Sequence, residues 1–492
     1  MQCVVFGATG YIGGRLVPEL VRAGHVVRAV ARDPAKLTDV PWRDQVEIVT
    51  GDVTDPASVA AALAGQDVAY YLVHSLHRRD FVELDRTAAN TVAEQARAAG
   101  ISRIVYLGGL TPGGHGLSAH LASRAEVGDI LLTSGVPTIV LKAAVIIGSG
   151  SASFEMLRYL TERLPAMVTP KWVKNRVQPI AVRDVVHYLT RAADLPGEIN
   201  RAFDIGGPEV LTYVQMMRRY ARVAGLPRRL VVPVPVLTPW LSAQWVNLVT
   251  PVPRSIAVPL IQSLVHEMVC ANDDITRYIA APEGGLTPYD RAIELALART
   301  RSADVPTRWS DAALGGAPSD PLPTDPEWSG GTRYEDERER HTTADADQLW
   351  DVVESIGGEQ GWYSWPLAWS VRGWIDRLAG GVGLRRGRRH PRRLRTGEAL
   401  DWWRVERLDR PHLLLLRAEM RVPGRAWLEL SVRPDPAGGS VYRQHAIFEP
   451  RGLAGHLYWK AVTPFHHLIF GGMAREITSA AEHQRTRKEA ET

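Results

Sequence analysis

Residues 3–13 read Cys3-Val4-Val5-Phe6-Gly7-Ala8-Thr9-Gly10-Tyr11-Ile12-Gly13. A short apolar run suited to a buried strand meets three glycines spaced three apart. An amphipathic stretch, 13–23, begins at the last of them. Strand, glycine loop and helix in immediate succession turn a weak glycine pattern into a strong one. Gly7 permits the tight turn, Gly10 lets a ligand approach the backbone, and Gly13 allows close packing of helix on strand. The helix start then offers free N–H groups and a positive dipole end to a diphosphate, with Thr9, Tyr11 and Ile12 in the same turn. The alternative is a loop of this shape kept for packing alone.

Outward from this loop the same rhythm repeats. Segments 26–31, 46–49, 68–73, 104–107 and 138–141 are β-branched or apolar and join 3–6 as predicted buried strands. Amphipathic stretches 13–23, 56–64 and 82–99 lie between them. That alternation predicts a doubly wound parallel α/β sheet of the Rossmann kind. After about residue 143 the rhythm breaks. Segments 153–164, 212–223 and 286–301 read as helices among loops, expected to cap the sheet and line a substrate pocket. The expected boundaries are 1–310 for this domain, 311–330 for a Pro/Gly-rich linker or surface strap, and 331–492 for a second domain.

Strand ends supply the remaining ligand contacts. Arg32 closes the second predicted strand, with Lys36 one turn later. A guanidinium suits a ribose 2′-phosphate by charge and bidentate geometry, which predicts NADP(H) over NAD(H). Two other readings stay open: Asp33 serving the ribose hydroxyls of NAD(H), or Arg32 as a solvated charge. Asp52 and Val53 follow the third strand, placed to meet an adenine amino group and ring. Leu72 and His74 end the fourth strand, and Gly108 and Gly109 the fifth.

Gly7 to Gly13, Gly51-Asp52-Val53 and Ile104-Val105-Tyr106-Leu107-Gly108-Gly109 together resemble the atypical short-chain dehydrogenase/reductase superfamily. Within it, the chain looks like the branch holding NmrA-type sensors and the Rossmann accessory subunit of respiratory complex I. Tyr70-Tyr71-Leu72-Val73-His74-Ser75 and Ala143-Ala144-Val145-Ile146-Ile147-Gly148-Ser149-Gly150-Ser151 are similar to bacterial NAD(P)-binding proteins carrying a C-terminal DUF2867 domain. The resemblance covers nearly the whole chain. It implies a proton-donating Tyr and a Lys spaced Tyr-x-x-x-Lys, plus a Ser at the end of strand five. Here the corresponding residues are His120-Leu121-Ala122-Ser123-Arg124, and Gly108 or Gly109 stands for the Ser. His120 is a candidate proton donor near neutral pH. Arg124 can hold ribose hydroxyls but cannot act as a base. Lys142, ending the sixth strand, is a further cation able to reach the nicotinamide side. The competing reading makes His120 and Arg124 structural.

The last third has a different grammar. Residues 346–353 read as a short amphipathic helix after a strand; 413–420, 427–432 and 441–448 read as strands, and 454–482 mostly as helix. This is an α+β domain. The DUF2867 resemblance implies a helix-grip fold like the START and Bet v 1 proteins, with an apolar cavity. Trp402, Trp403, Trp427, Tyr458 and Trp459 either line that cavity or fill a core. Trp362, Trp365, Trp369 and Trp374 crowd the stretch before the strands.

Bulk properties narrow the partners. A net charge of +4 on 492 residues excludes a molecule-wide electrostatic nucleic-acid binder, and no recognition helix or basic aromatic sheet is evident. One basic run, 385–395, holds seven arginines, and suits an anionic membrane surface, a phosphate-bearing ligand or a solvated loop. The uncharged segment 230–253 is broken by five prolines, so no membrane-spanning helix is expected there; it reads as a pocket lid or a peripheral membrane contact. Two cysteines, Cys3 and Cys270, make no disulfide framework and fit a reducing, cytoplasmic setting. The start of the chain has no signal-peptide pattern. No metal ligand set is predicted. The expected partners are a small apolar substrate and, for a sensor or assembly factor, another protein.

Overall fold

In the computed structural model, the N-terminal alternation folds as β1 Gln2–Phe6, α1 Gly13–Arg22, β2 Val26–Ala31, β3 Glu47–Thr50, α2 Pro56–Leu63, β4 Val68–Tyr71, α3 Phe81–Ala98, β5 Arg103–Gly109, α4 Ala119–Leu132 and β6 Thr138–Ala143. The structure describes residues 1–76, 78, 80–112, 117–234, 249–301, 325, 331–358, 361–362, 390, 393–420 and 422–491. Short strands β7 Ile146–Ile147, β8 Ala166–Pro170, β9 Arg176–Val177 and β10 Ile180–Ala181 follow, with α5 Ala152–Arg163 and α6 Val182–Ala192 among them. Next come β11 Arg201–Ile205, β12 Leu211–Thr212, α7 Tyr213–Val223, β13 Leu230–Val234, α8 Arg254–Ser263 and α9 Tyr289–Arg301. The chain divides into two units, Met1–Gly331 and Thr332–Thr492.

The main sheet of the first unit has seven strands in the order β11-β6-β5-β4-β1-β2-β3. Every pairing in it is parallel. Parallel strands need both faces covered, because the crossover helices lie on both sides. One face buries Val5, Val27, Tyr70, Val105 and Leu141 with α1 and α6; the other buries Val4, Phe6, Tyr71, Ile104 and Tyr106 with α2, α3 and α4. The seventh strand, β11, escaped the pattern reading. Its sequence, Arg201-Ala202-Phe203-Asp204-Ile205, opens on an arginine and is interrupted by an aspartate at the sheet edge instead of running apolar.

Order reverses between β1 and β4, since β1 has β2 on one side and β4 on the other. All strands point the same way, so their C-terminal ends share one edge. A crevice opens where the order reverses, which is where ligands of such sheets bind.

A buried arginine staples the far edge. The Arg103 guanidinium donates to the carbonyls of Ala193 at 3.0 Å and Pro196 at 2.5 Å, and also to Leu195. These carbonyls lie at and just past the end of α6, where helix carbonyls lack partners of their own. Arg103→Leu is expected to destabilise the first unit by on the order of 2–3 kcal/mol, because several buried acceptors lose a charged donor. Urea denaturation of the variant checks this.

The second unit forms one antiparallel sheet, β14-β19-β18-β17-β16-β15, from β14 Tyr334–Thr342, β15 Ala399–Leu400, β16 Trp403–Asp409, β17 Leu413–Ala418, β18 Gly424–Pro434 and β19 Ser440–Pro450. Helix α10 Ala346–Glu354 follows β14, and α11 Gly452–Glu491 closes the chain. The first strand pairs with the last, Tyr334 opposite Phe448. Phe470, Met473, Ala474 and Ile477 of α11 share a core with Leu349 and Val353 of α10 and with Leu414, Leu416, Leu428 and Leu430 of the sheet. Trp402 and Trp403 are buried in that core, stacked or tilted against Trp362. Trp427 is buried and donates to Glu406 at 2.9 Å, and Trp459 stacks between Tyr334 and Phe448. Tyr458 also packs on Phe448.

No helix among the described residues is long and apolar enough to cross a membrane. Residues 235–248 with Trp240 and Trp245, the predicted linker apart from Asp325, Trp365, Trp369 and Trp374, and the basic run apart from His390 and 393–395 lie outside the described residues.

Candidate functional site

The glycine loop joins β1 to α1 at the order reversal. Gly7 has φ +92°, and a Cβ there would stand 2.8 Å from the Leu72 carbonyl oxygen at the end of β4. A Cβ on Gly13 would stand 2.1 Å from the Gly7 oxygen, so helix and loop touch backbone to backbone. Gly10 is exposed, with only the Gly7 oxygen within 4 Å of its notional Cβ, at 3.2 Å. The bare side of the turn thus faces open space.

The start of α1 has the electrostatics of an anion cradle. Its cap residue, Ile12, makes no side-chain capping bond, and the first turn holds no acid. Among the described residues, the N–H groups of Tyr11 and Ile12 donate to no protein group. Uncapped amides at a helix start are the donors a diphosphate needs. These residues fit a dinucleotide.

Beside the loop, Arg15 of α1 is buried and donates bidentately to Asp325 at 2.7 and 2.6 Å. The same guanidinium donates to the Tyr11 carbonyl at 2.9 Å and sits 4.1 Å over the Tyr11 ring. Nothing in the local sequence signals this pair, whose members are 310 residues apart.

Arg32 follows β2 and is exposed, as is Lys36 in the short 3₁₀ turn Pro34–Leu37. Asp33 is turned back on its own backbone: its carboxylate accepts from Ala35 N at 3.1 Å and caps that turn. Asp52 accepts from the Thr54 N–H at 2.9 Å and hydroxyl at 2.8 Å. These bonds hold its carboxyl below the usual range against partial burial, with the Arg32 charge adding to the pull. Val53 and Leu72 are partly buried, and His74 is exposed past β4. Gly108 and Gly109 end β5, and a Cβ on Gly109 would lie 3.6 Å from Leu121 of α4. The parallel sheet therefore gathers the predicted strand-end residues along one edge.

The three candidates for chemistry separate. Lys142 on β6 pairs with Asp204 on β11 at 3.0 Å, so its charge is already met. Arg124 on α4 donates to the Leu107 carbonyl at 2.7 Å and lies 5.2 Å over the Tyr106 ring, tying helix to strand end. His120 is partly buried, one helical turn before Arg124. Burial, with the Arg124 charge adding, pushes its imidazole down to about 4. Burial thus works against the imidazolium form that a proton donor near neutral pH would use.

Two groups escaped the sequence reading. Asp85 of α3 is buried and accepts from Ser75 N at 2.9 Å and Ser123 Oγ at 3.3 Å. Burial raises its carboxyl above the usual range, opposed chiefly by Arg124. Ser263 of α8 meets His120 Nδ1 at 3.2 Å and Ser118 Oγ at 3.0 Å. Ser118 was findable as a helix cap. Ser263 was not, being 143 residues from His120.

Comparison with known proteins agrees with this geometry. An NAD(P)H-binding family model matches residues 7–131, and the model "Protein of unknown function (DUF2867)" matches 328–473. An uncharacterized protein of Mycobacterium tuberculosis is 26% identical over 227 residues, 46% of this chain and 24% of its own length. The chain thus spans about a quarter of that relative. The (4-alkanoyl-5-oxo-2,5-dihydrofuran-3-yl)methyl phosphate reductase of Streptomyces griseus is 28% identical over 234 residues, covering 46% of this chain and 75% of the reductase. The fold of the first unit is similar to that of Citrobacter sp. triphenylmethane reductase, solved with NADP(H): TM-score 0.50, 22% identity, 60% of this chain and 100% of that one. Loop, sheet order and family match converge: this chain joins an NAD(P)H-binding domain of parallel α/β fold to a C-terminal DUF2867 domain.

Proposed function

We propose that the chain is an NADP(H)-dependent oxidoreductase acting on a small, largely apolar molecule. The observation that carries the reading is the uncapped start of α1 behind an exposed Gly10, with the cations Arg32 and Lys36 exposed beyond β2. Tyr11 and Ile12 amides take the diphosphate, with Thr9 beside them in the loop. Arg32 and Lys36 meet the 2′-phosphate. Asp52 and Val53 receive the adenine, and Leu72, His74, Gly108 and Gly109 line the run toward the nicotinamide. The bound cofactor supplies hydride chemistry. The chain's residues bind and orient, and keep water away with the apolar side chains Leu110, Leu117 and Leu121. NADP(H) is favoured over NAD(H) because two cations, Arg32 and Lys36, stand exposed beyond β2, while Asp33 turns one carboxylate oxygen to its own backbone.

Arg32→Ala is expected to weaken NADPH binding by about 1–3 kcal/mol, the size of a charge-assisted contact, and NADH binding much less. Calorimetry with both cofactors tests this. Equal losses would overturn the 2′-phosphate assignment.

For the second unit the proposal is a helix-grip fold holding an apolar ligand. Its support is the pairing of first strand with last and the apolar α11 residues in the sheet's core. A second reading, a redox sensor that binds NADP(H) and signals to a protein partner, draws support from the neutral His120 and the tied Lys142 and Arg124. Mixing the protein with NADPH and a panel of quinones and enones separates the two. Absorbance loss at 340 nm (the standard nicotinamide band, roughly) supports turnover. Tight binding without turnover across the panel supports the sensor.

A further inference from the structure

His120 stands at the end of a short hydrogen-bond chain whose proton positions can be counted. Ser263 Oγ lies 2.9 Å from the Pro259 carbonyl, 3.0 Å from Ser118 Oγ and 3.2 Å from His120 Nδ1. A serine hydroxyl has one proton and two lone pairs. A carbonyl can only accept, so the shortest contact takes the Ser263 proton, the usual back-bond of a helical serine to its i−4 carbonyl. Ser263 must then accept from both other partners. Ser118 is able to donate, because its own oxygen accepts from Leu121 N at 3.3 Å and its proton is free for Ser263. The last donor is His120, through Nδ1–H.

A neutral imidazole carries one N–H. With that proton on Nδ1, Nε2 is a bare lone pair. It bonds to no group among the described residues. Leu117 and Leu121, on either side of His120 in sequence, and Leu264, next to Ser263, belong to one apolar core, and Ile261 to the adjoining cluster on α8. A lone acceptor among such side chains rewards a ligand that brings a donor.

We propose that His120 Nε2 accepts a hydrogen bond from a neutral hydroxyl, alcoholic or phenolic, on an otherwise apolar substrate, and that Ser263 and Ser118 are positioning residues that lock this tautomer. The substrate class is thus the hydroxyl-bearing member of an alcohol–carbonyl or hydroquinone–quinone pair. This rests on the oxidoreductase reading above.

The test is spectroscopic. In ¹⁵N-histidine-labelled full-length protein at pH 7, His120 is expected to show a protonated Nδ1 and an unprotonated Nε2. Ser263→Ala should release the lock and mix the tautomers, and Ser263→Thr should restore it. Phenol added at millimolar levels should move the Nε2 resonance; anisole, of similar shape without the donor, should not. A protonated Nε2 in the unaltered protein would overturn the proposal without any variant having to fold. So would phenol and anisole acting alike, or neither acting. NADPH titration by nicotinamide fluorescence runs alongside: loss of NADPH binding strikes the oxidoreductase reading, whereas normal binding with the wrong tautomer strikes this inference alone.

Discussion

Asp325→Ala is expected to cost the first unit about 3–5 kcal/mol, because it removes a carboxylate that a buried guanidinium holds bidentately. Side-chain exposure is 1% for Arg15 and 4% for Asp325, so water cannot take over the lost role. Arg15 also meets the Tyr11 carbonyl, the Ser149 carbonyl at 3.3 Å and the Tyr11 ring, none of which carries a charge. Asp325→Asn keeps the shape and loses the charge, so it should fall between. The double change Arg15→Met with Asp325→Leu removes both charges and should recover much of the loss, since a well-packed apolar pair often matches a buried ion pair. Denaturant midpoints of the four proteins decide it. A near-neutral Asp325→Ala would mean that the pair does not form in solution. Arg15 also holds the Tyr11 carbonyl of the glycine loop. NADPH affinity should therefore fall in the single variant even at temperatures where it stays folded.

Gly13→Ala and Gly10→Ala should part company. At Gly13 a methyl group would stand 2.1 Å from the Gly7 carbonyl oxygen and 2.8 Å from its carbon. Both are backbone atoms, so the loop itself must move. Overpacking against backbone is expected to cost at least the usual ~1–3 kcal/mol of stability. NADPH binding should be lost with it, because the displaced amides are those facing the diphosphate. At Gly10 the nearest atom is 3.2 Å away and the rest is open, so stability should change by less than about 1 kcal/mol. Binding should still fall roughly tenfold or more, since the methyl group stands where a phosphate must approach. Thermal melts and NADPH titrations of both variants give the pattern. Equal binding by Gly10→Ala and the unaltered protein would show that the diphosphate does not approach this turn.

Local sequence carried much of this protein. The 3–13 stretch specifies β1, the loop and α1, because strand, turn and helix propensities there depend on near neighbours and on Gly7 and Gly13, which no larger residue replaces. Short β-branched or apolar runs alternating with amphipathic stretches placed six parallel strands to within a few residues. Once the strands are parallel, Arg32, Asp52, Val53, Leu72, His74, Gly108 and Gly109 must fall on one edge, so their gathering there was legible before any coordinates. The edge strand β11 was not, for its two-sided burial is incomplete and its pattern correspondingly mixed.

Chemistry at the site was decided by tertiary contacts alone. His120 reads from its residue type as a donor poised near pH 7. Its neutral state follows from burial and from Arg124, and its proton position from Ser263, a residue 143 positions away. Lys142 reads as a free cation until β11 brings Asp204 to 3.0 Å. Arg15 and Asp325 carry no signal in their own neighbourhoods. Backbone geometry is set by short-range sterics and propensity, which a sequence displays. Protonation and pairing are set by desolvation and by charges that the fold brings together, and those distances exist only once the chain has closed.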